Sequence, residues 1–308
     1  MAAPRRALFL MVLLVGMVGF ATVSAQTPVV PKRGWIEARK GKDRPRNNPN
    51  PSPNPGATPK PEADKPAIPP AELRRAESLL KVFERRARSL QDERQHGKIT
   101  LLHPSGRREV FAFQCLRRAD KDGGQEFLLR HQRRGDLPRV AVLGQRAAKG
   151  PTMIWKHRPE ARATEPVPPG TQRHLEGSAL ILEDFFDFDL GRGRVEYLGH
   201  AVVAGKPALL LGQKAADDEP NRRLWVRTDT RVIARVEEYA EDPEKPTRRL
   251  VLDDAVRVGV HLRPRRILIE DLARGMSVLV EIESHEINAG TAGISFGPEE
   301  LKAALDIP

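Results

Sequence analysis

The stretch MSVLVEIESHEI, residues 276–287, decides how the rest of the chain is read. Met276, Val278, Val280 and Ile282 alternate with Ser277, Leu279, Glu281 and Glu283. Period-two alternation describes a strand with one apolar face. That face needs something to cover it. It is either ordinary core or the wall of a site for something greasy.

Outward from this strand the same period recurs. GKITLLHPSGRREVFAFQCL reads as two strands joined at Pro104-Ser105-Gly106. QEFLLRHQ, RVAVLGQ, TMIWKHR, ALLLGQ, RRLWVRTD, RVIARVEEYA, RRLVLDDAVRV and RRILIEDL follow, separated by Gly-, Pro- or Asp-rich turns. Roughly ten short strands at regular spacing predict an all-β sheet or barrel in meander order. Residues 175–190, LEGSALILEDFFDFDL, interrupt the meander and read as a helix or lid-like loop. FGPEELKAAL reads as a short helix starting at Pro298. Before the strands, PPAELRRAESLLKVFERRARSL places Leu73, Ala76, Leu80, Phe83, Ala87 and Leu90 on one stripe of a helix. The sheet is the obvious partner for that stripe.

The N-terminal residues read differently. Arg5 and Arg6, an apolar run from Ala7 to Ala21, and Val23-Ser24-Ala25 have the layout of a secretory signal with cleavage after Ala25. The apolar run is short of the roughly twenty residues that span a bilayer. Residues 26–70 are basic and, from 43 on, dense in proline, so they predict an extended, disordered linker. Residues 71–308 then form a single domain. The formal charge is +11, with 52 Lys/Arg against 41 Asp/Glu. Much of the excess lies in the linker, which argues against a basic nucleic-acid-binding face on the folded domain.

Catalytic patterns are missing. There is no Gly-x-Ser-x-Gly, phosphate-binding glycine loop, His-Glu-x-x-His or cysteine pair. Cys115 is the only cysteine and lies in phase with Phe111 and Phe113, as a small buried residue does. The acidic pairs Glu183-Asp184, Asp217-Asp218, Asp253-Asp254 and Glu270-Asp271 sit in or beside expected turns. No catalytic residue, metal ligand or cofactor is expected.

The second half resembles the outer-membrane lipoprotein-sorting family, the LolA-like periplasmic carriers. The resemblance rests on the order and spacing of GPTMIWKHRPE (150–160), GSALILEDFFDFDL (177–190), VEYLGHAVVAGKPALLLGQ (195–213), RRLWVRTDTRVIARVEEY (222–239) and the run from Leu250 to Leu301. The linker and the expansion EDPEKPT (241–247) depart from the family pattern. The resemblance implies a mainly β fold with a few helices: a curved, incompletely closed antiparallel β-barrel covered by helices. It implies a monomeric periplasmic carrier that holds lipoprotein acyl chains or another lipid, loaded and unloaded by membrane-bound proteins. On that reading Met153, Trp155, Leu209, Leu211, Trp225, Ile267, Ile269, Val278 and Val280 are the candidate cavity wall, with Phe185 and Phe186 as lid. The alternative is a non-catalytic sensor or interaction module on the same fold, marked by a filled core and an exposed apolar patch.

Overall fold

The computed structural model describes residues 70–302, apart from 120–122, 134–139, 149, 159–161, 171–172, 189–192, 215–220, 241 and 292. The expected signal peptide and linker lie outside the described residues. Helix α1 (Pro70–Ser89) leads into strands β1 (Asp92–Leu102), β2 (Arg108–Ala119), β3 (Gln125–Arg133), β4 (Val140–Arg146), β5 (Thr152–Arg158) and β6 (Ala163–Pro166). After a crossing segment come β7 (Arg194–Val203), β8 (Lys206–Lys214), β9 (Asn221–Arg227), β10 (Ile233–Tyr239), β11 (Pro246–Val258), β12 (His261–Asp271) and β13 (Met276–Ile287).

All thirteen strands form one antiparallel sheet in the order β6-β5-β4-β3-β2-β1-β13-β12-β11-β10-β9-β8-β7. The first and last strands therefore meet in the middle. β6 and β7, consecutive in sequence, are the two free edges, so the barrel is not closed. The extra strands beyond the expected ten include β6, whose four residues ATEP are too few to show a period.

Alternation places the core. Val280 sits between Ile99 and Ile267, and Val278 between Leu101 and Ile269. All of these belong to one apolar cluster on the sheet's inner face, with Phe111, Phe113, Cys115, Phe127 and Leu129. Two glycines make room. A Cβ on Gly144 would lie 2.1 Å from the Phe127 ring. One on Gly97, at the bulge where β1 meets β13, would lie 2.1 Å from the Glu281 carbonyl oxygen.

Helix α1 covers part of the inner face with buried Ala76 and Leu79 and half-buried Leu80 and Phe83. Polar contacts set its course across the strands. Tyr197 on β7 donates to Glu72 at 3.0 Å, and Arg86 donates to the Arg231 carbonyl at 2.9 Å. Ser89 Oγ lies 3.5 Å from His261 Nε2 on β12. The outer face of β2–β5 is covered by the chain's own C-terminal segment. Phe296 and Leu301 pack on Leu116, Leu128, Ala141 and Leu143. The Arg118 guanidinium lies 4.0 Å over the Phe296 ring. The helix expected at Pro298 is a single 3-10 turn, Pro298–Glu300.

Candidate functional site

Residues 167–188 leave β6 and run over the inner face toward β7, forming a strap. The strap contributes Leu175, Ala179, Leu180, Leu182, Phe185 and Phe186 to the inner cluster. Phe185 packs against Phe113 and Phe127, with ring centroids 6.1 and 5.7 Å apart. Phe186 meets Phe127 edge-on at 4.8 Å. Among its described residues the strap holds no α-helix, and its 3-10 turns include Leu175–Gly177 and Leu182–Phe185. It stays down through side chains.

One set of clamps lies at the end of the sheet where α1 finishes. Asp187 of the strap pairs with Arg117 at 3.0 Å and with both terminal nitrogens of Arg263 at 3.2 and 3.0 Å. Both arginines also pair with Glu93, Arg263 at 3.0 Å, and His285 Nδ1 lies 2.7 Å from the same carboxylate. Burial alone would raise the Glu93 pKa, but Arg117, the His285 contact and Arg263 hold it well below the usual carboxylate range. Asp187 is also held low: burial opposes its charge and the two arginines outweigh it. Arg146 donates to the Asp187 carbonyl at 2.7 Å and stacks 4.5 Å over the Phe186 ring. A pocket of about 50 Å³ beside Asp187, lined by Arg117, Gln125 and Phe186 among others, has room for a few waters and not for an acyl chain.

The second set lies toward the opposite end. Arg248 on β11 donates to the Ala179 carbonyl at 3.0 Å, to Glu238 at 3.0 Å and to Asp184. Asp184 also accepts the Ile181 amide at 2.9 Å. Burial pushes the Asp184 carboxyl up to about 6. Arg248 pulls against that shift, and the Glu238 charge adds to it. Arg274 donates to the carbonyls of Gly177 and Ser178 at 3.1 and 2.9 Å. Arg173 pairs with Glu183 and donates to the Thr152 carbonyl at 3.0 Å.

The sequence-derived candidates divide by face. Leu209, Leu211, Ile269, Val278 and Val280 are buried in the inner cluster with Phe185 and Phe186, and Ile267 packs partly buried against it. Met153, Trp155 and Trp225 do not line that layer. Ile154 points inward, so Met153 and Trp155 point outward, Met153 exposed and Trp155 under the C-terminal segment. Leu224 and Val226 point inward, which turns Trp225 outward beneath the Arg235 guanidinium at 4.6 Å. These three were expected on the apolar strand face that lines the cavity, and strand register turns them away from it. Cys115 is buried on the inner face, where burial pushes its thiol up to about 12. His131, also inward, is pushed down to about 4 by burial and by the Lys156 charge. Of the acidic pairs, Glu183-Asp184 lies in the strap and Asp217-Asp218 lies outside the described residues.

Sequence reasoning missed the clamping arginines, and the signal was present. Arg117 is in phase with Phe111, Phe113 and Cys115, Arg248 with Leu250 and Leu252, and Arg263 with Ile267 and Ile269. An arginine in the inward register of an apolar strand needs a buried partner.

A family model described as "Uncharacterized protein" matches residues 123–303, more than half of the chain. No curated protein matches. Solved structures do. A putative outer membrane lipoprotein-sorting protein domain from Vibrio parahaemolyticus aligns at 18% identity and TM-score 0.64, covering 74% of this chain and 99% of that one. A DUF1329 family protein from Desulfovibrio piger aligns at 16% identity and TM-score 0.66, covering 74% and 98%. A LolA superfamily protein from Nitrosomonas europaea aligns at 14% identity and TM-score 0.54, covering 70% and 94%. The fold is LolA-like: a mostly antiparallel, unclosed curved sheet with few helices.

Proposed function

Since the chain belongs to the family whose model spans residues 123–303, described as "Uncharacterized protein", and is LolA-like in fold, we propose that it is a periplasmic carrier for an acyl chain. The chain comes from a lipoprotein or another lipid and is held between the inner face and the strap. The observation that carries this reading is the way the strap is attached. A continuous apolar sheet face is covered by a segment that, among its described residues, has no α-helix and is pinned by separable arginine clamps. Phe185 and Phe186 then occupy the space an acyl chain takes when the strap lifts. The magnitudes allow it. Burying about sixteen methylenes at ~0.8 kcal/mol each yields roughly 13 kcal/mol. A charge-assisted hydrogen bond contributes about 1.5–3 kcal/mol, so cargo offsets the loss of several clamps.

The carrier needs no catalytic group. Membrane-bound loading and receiving proteins fit the role, and the domain acts as a monomer. The second reading, a non-transporting interaction module, is favoured by the packed core seen among the described residues. Native mass spectrometry of the mature protein purified without detergent separates the two. Added mass that extracts as acylated lipid or lipopeptide, and is lost in Val280→Glu, supports the carrier. An apo mass that stays apo after incubation with lipid sinks the carrier and leaves the module.

A further inference from the structure

The hairpins β7–β8, β9–β10 and β11–β12 all turn at one end of the sheet, because neighbours in an antiparallel meander alternate direction. Val202, beside the first turn, is 71% exposed, and Val260, in the third, is 68% exposed. They are the most exposed large apolar side chains among the described residues. Both turns are tight. Ala204, Gly205 and Gly259 take left-handed φ of 47, 71 and 58°, so the valines are held out on two-residue corners. About four strand spacings separate the two tips, roughly 19 Å.

Basic side chains fill the space around and between them. The middle turn carries Arg227 and Arg231, the first is followed by Lys206, and the third is preceded by Arg257. The last turns of α1 run alongside, as the bond from Arg86 to the Arg231 carbonyl shows, and they also carry exposed Arg85. Arg85, Lys206, Arg231 and Arg257 are exposed, and none is ion-paired with a carboxylate among the described residues. The acidic groups nearby are Asp229, which is paired with Arg227 at 2.6 Å, exposed Asp253 on β11, whose charge also acts on Arg227, Glu72, which faces Tyr197 and His200, and exposed Glu77 on α1. A cluster of like charges repels itself until counter-charge arrives. Apolar tips set among cations are the composition of a surface that meets lipid headgroups.

We propose that this end of the domain docks on an anionic phospholipid surface, with Val202 and Val260 entering the interface and Arg85, Lys206, Arg231 and Arg257 meeting the phosphates. The proposal does not depend on cargo, because vesicles of plain phospholipid test it. The full mature chain is sedimented with phosphatidylcholine vesicles with and without phosphatidylglycerol, at low and high salt. Binding to anionic vesicles is expected to exceed binding to neutral ones at least tenfold and to fall with salt. Arg231→Glu with Arg257→Glu is expected to cut it about tenfold or more, and Val202→Asp with Val260→Asp to cut it as well. Circular dichroism should remain unchanged, since all four positions are exposed. Lys245→Glu, a charge reversal at the opposite end, is expected to leave binding within twofold. Absence of vesicle binding, equal binding to neutral vesicles, or wild-type binding by both double variants overturns the proposal. The last outcome assigns the binding to the basic residues 26–69, and an absence of vesicle binding turns attention to an acidic protein partner.

Discussion

Asp184 holds its proton more tightly in the folded chain than in water, at about 6 against the usual carboxylate value near 4. Between those values the closed strap binds more protons than the open one. By linkage, lowering the pH from about 6 toward 4 favours the closed strap, by up to about 3 kcal/mol across that interval. Strap amides at 173–188 should therefore exchange with deuterium more slowly at pH 5 than at pH 7.5, after correction for intrinsic rates. Asp184→Asn should abolish the difference, and faster exchange at pH 5 would refute the assignment. Glu93 and Asp187 run the other way. Their depressed values stabilise the fold above the usual carboxylate range, and that contribution is lost as pH falls below about 4. Glu93 is also the partner of two buried arginines. Glu93→Gln leaves Arg117 and Arg263 sharing Asp187 alone, with an expected cost of about 3–5 kcal/mol. For a domain of this size that is a fall in Tm of roughly 10 °C by scanning calorimetry. A fall of only a degree or two would mean Asp187 suffices for both.

At the scale of the element, the sheet was largely readable and the strap was not. β13 and β2 carry clean alternation, so their inward residues could be read from spacing alone. The strap has no period to read. Its path is set by partners far away in the chain, such as Arg248 and Asp184, 64 residues apart. The same limit explains the site. Val278, Val280, Ile269, Leu209 and Leu211 were legible as inward positions. Trp155 and Trp225 share the apolar character of the inward residues, but Ile154, Leu224 and Val226 hold the inward register and turn both rings outward. Gly144 shows how closely the two elements interlock. The Phe127 ring occupies the space of a missing Cβ and in turn supports Phe185 and Phe186. Gly144→Ala should push that ring away, at a cost of about 1–3 kcal/mol in urea unfolding. It should also raise the exchange of the strap amides at 182–188. Lost stability with unchanged strap exchange would show that Phe127 does not support the strap.

Across the whole molecule, the two ends of the sheet differ. The α1 end carries the basic hairpin tips. The opposite end carries the β12–β13 turn, whose Arg274 bonds to Gly177 and Ser178 of the strap. Arg274 is exposed, so Arg274→Ala removes those bonds without opening a hole in the core. Losing about 1.4 kcal/mol of attachment makes strap opening about tenfold more frequent. If cargo passes beneath the strap, uptake of a fluorescent fatty acid should then quicken by about the same factor, with Tm changed by a few degrees at most. Unchanged uptake together with faster strap exchange would mean that the chain enters elsewhere along the inner face. The free edges at β6 and β7 are then the places to look, because a sheet that does not close leaves the inner face approachable from the side.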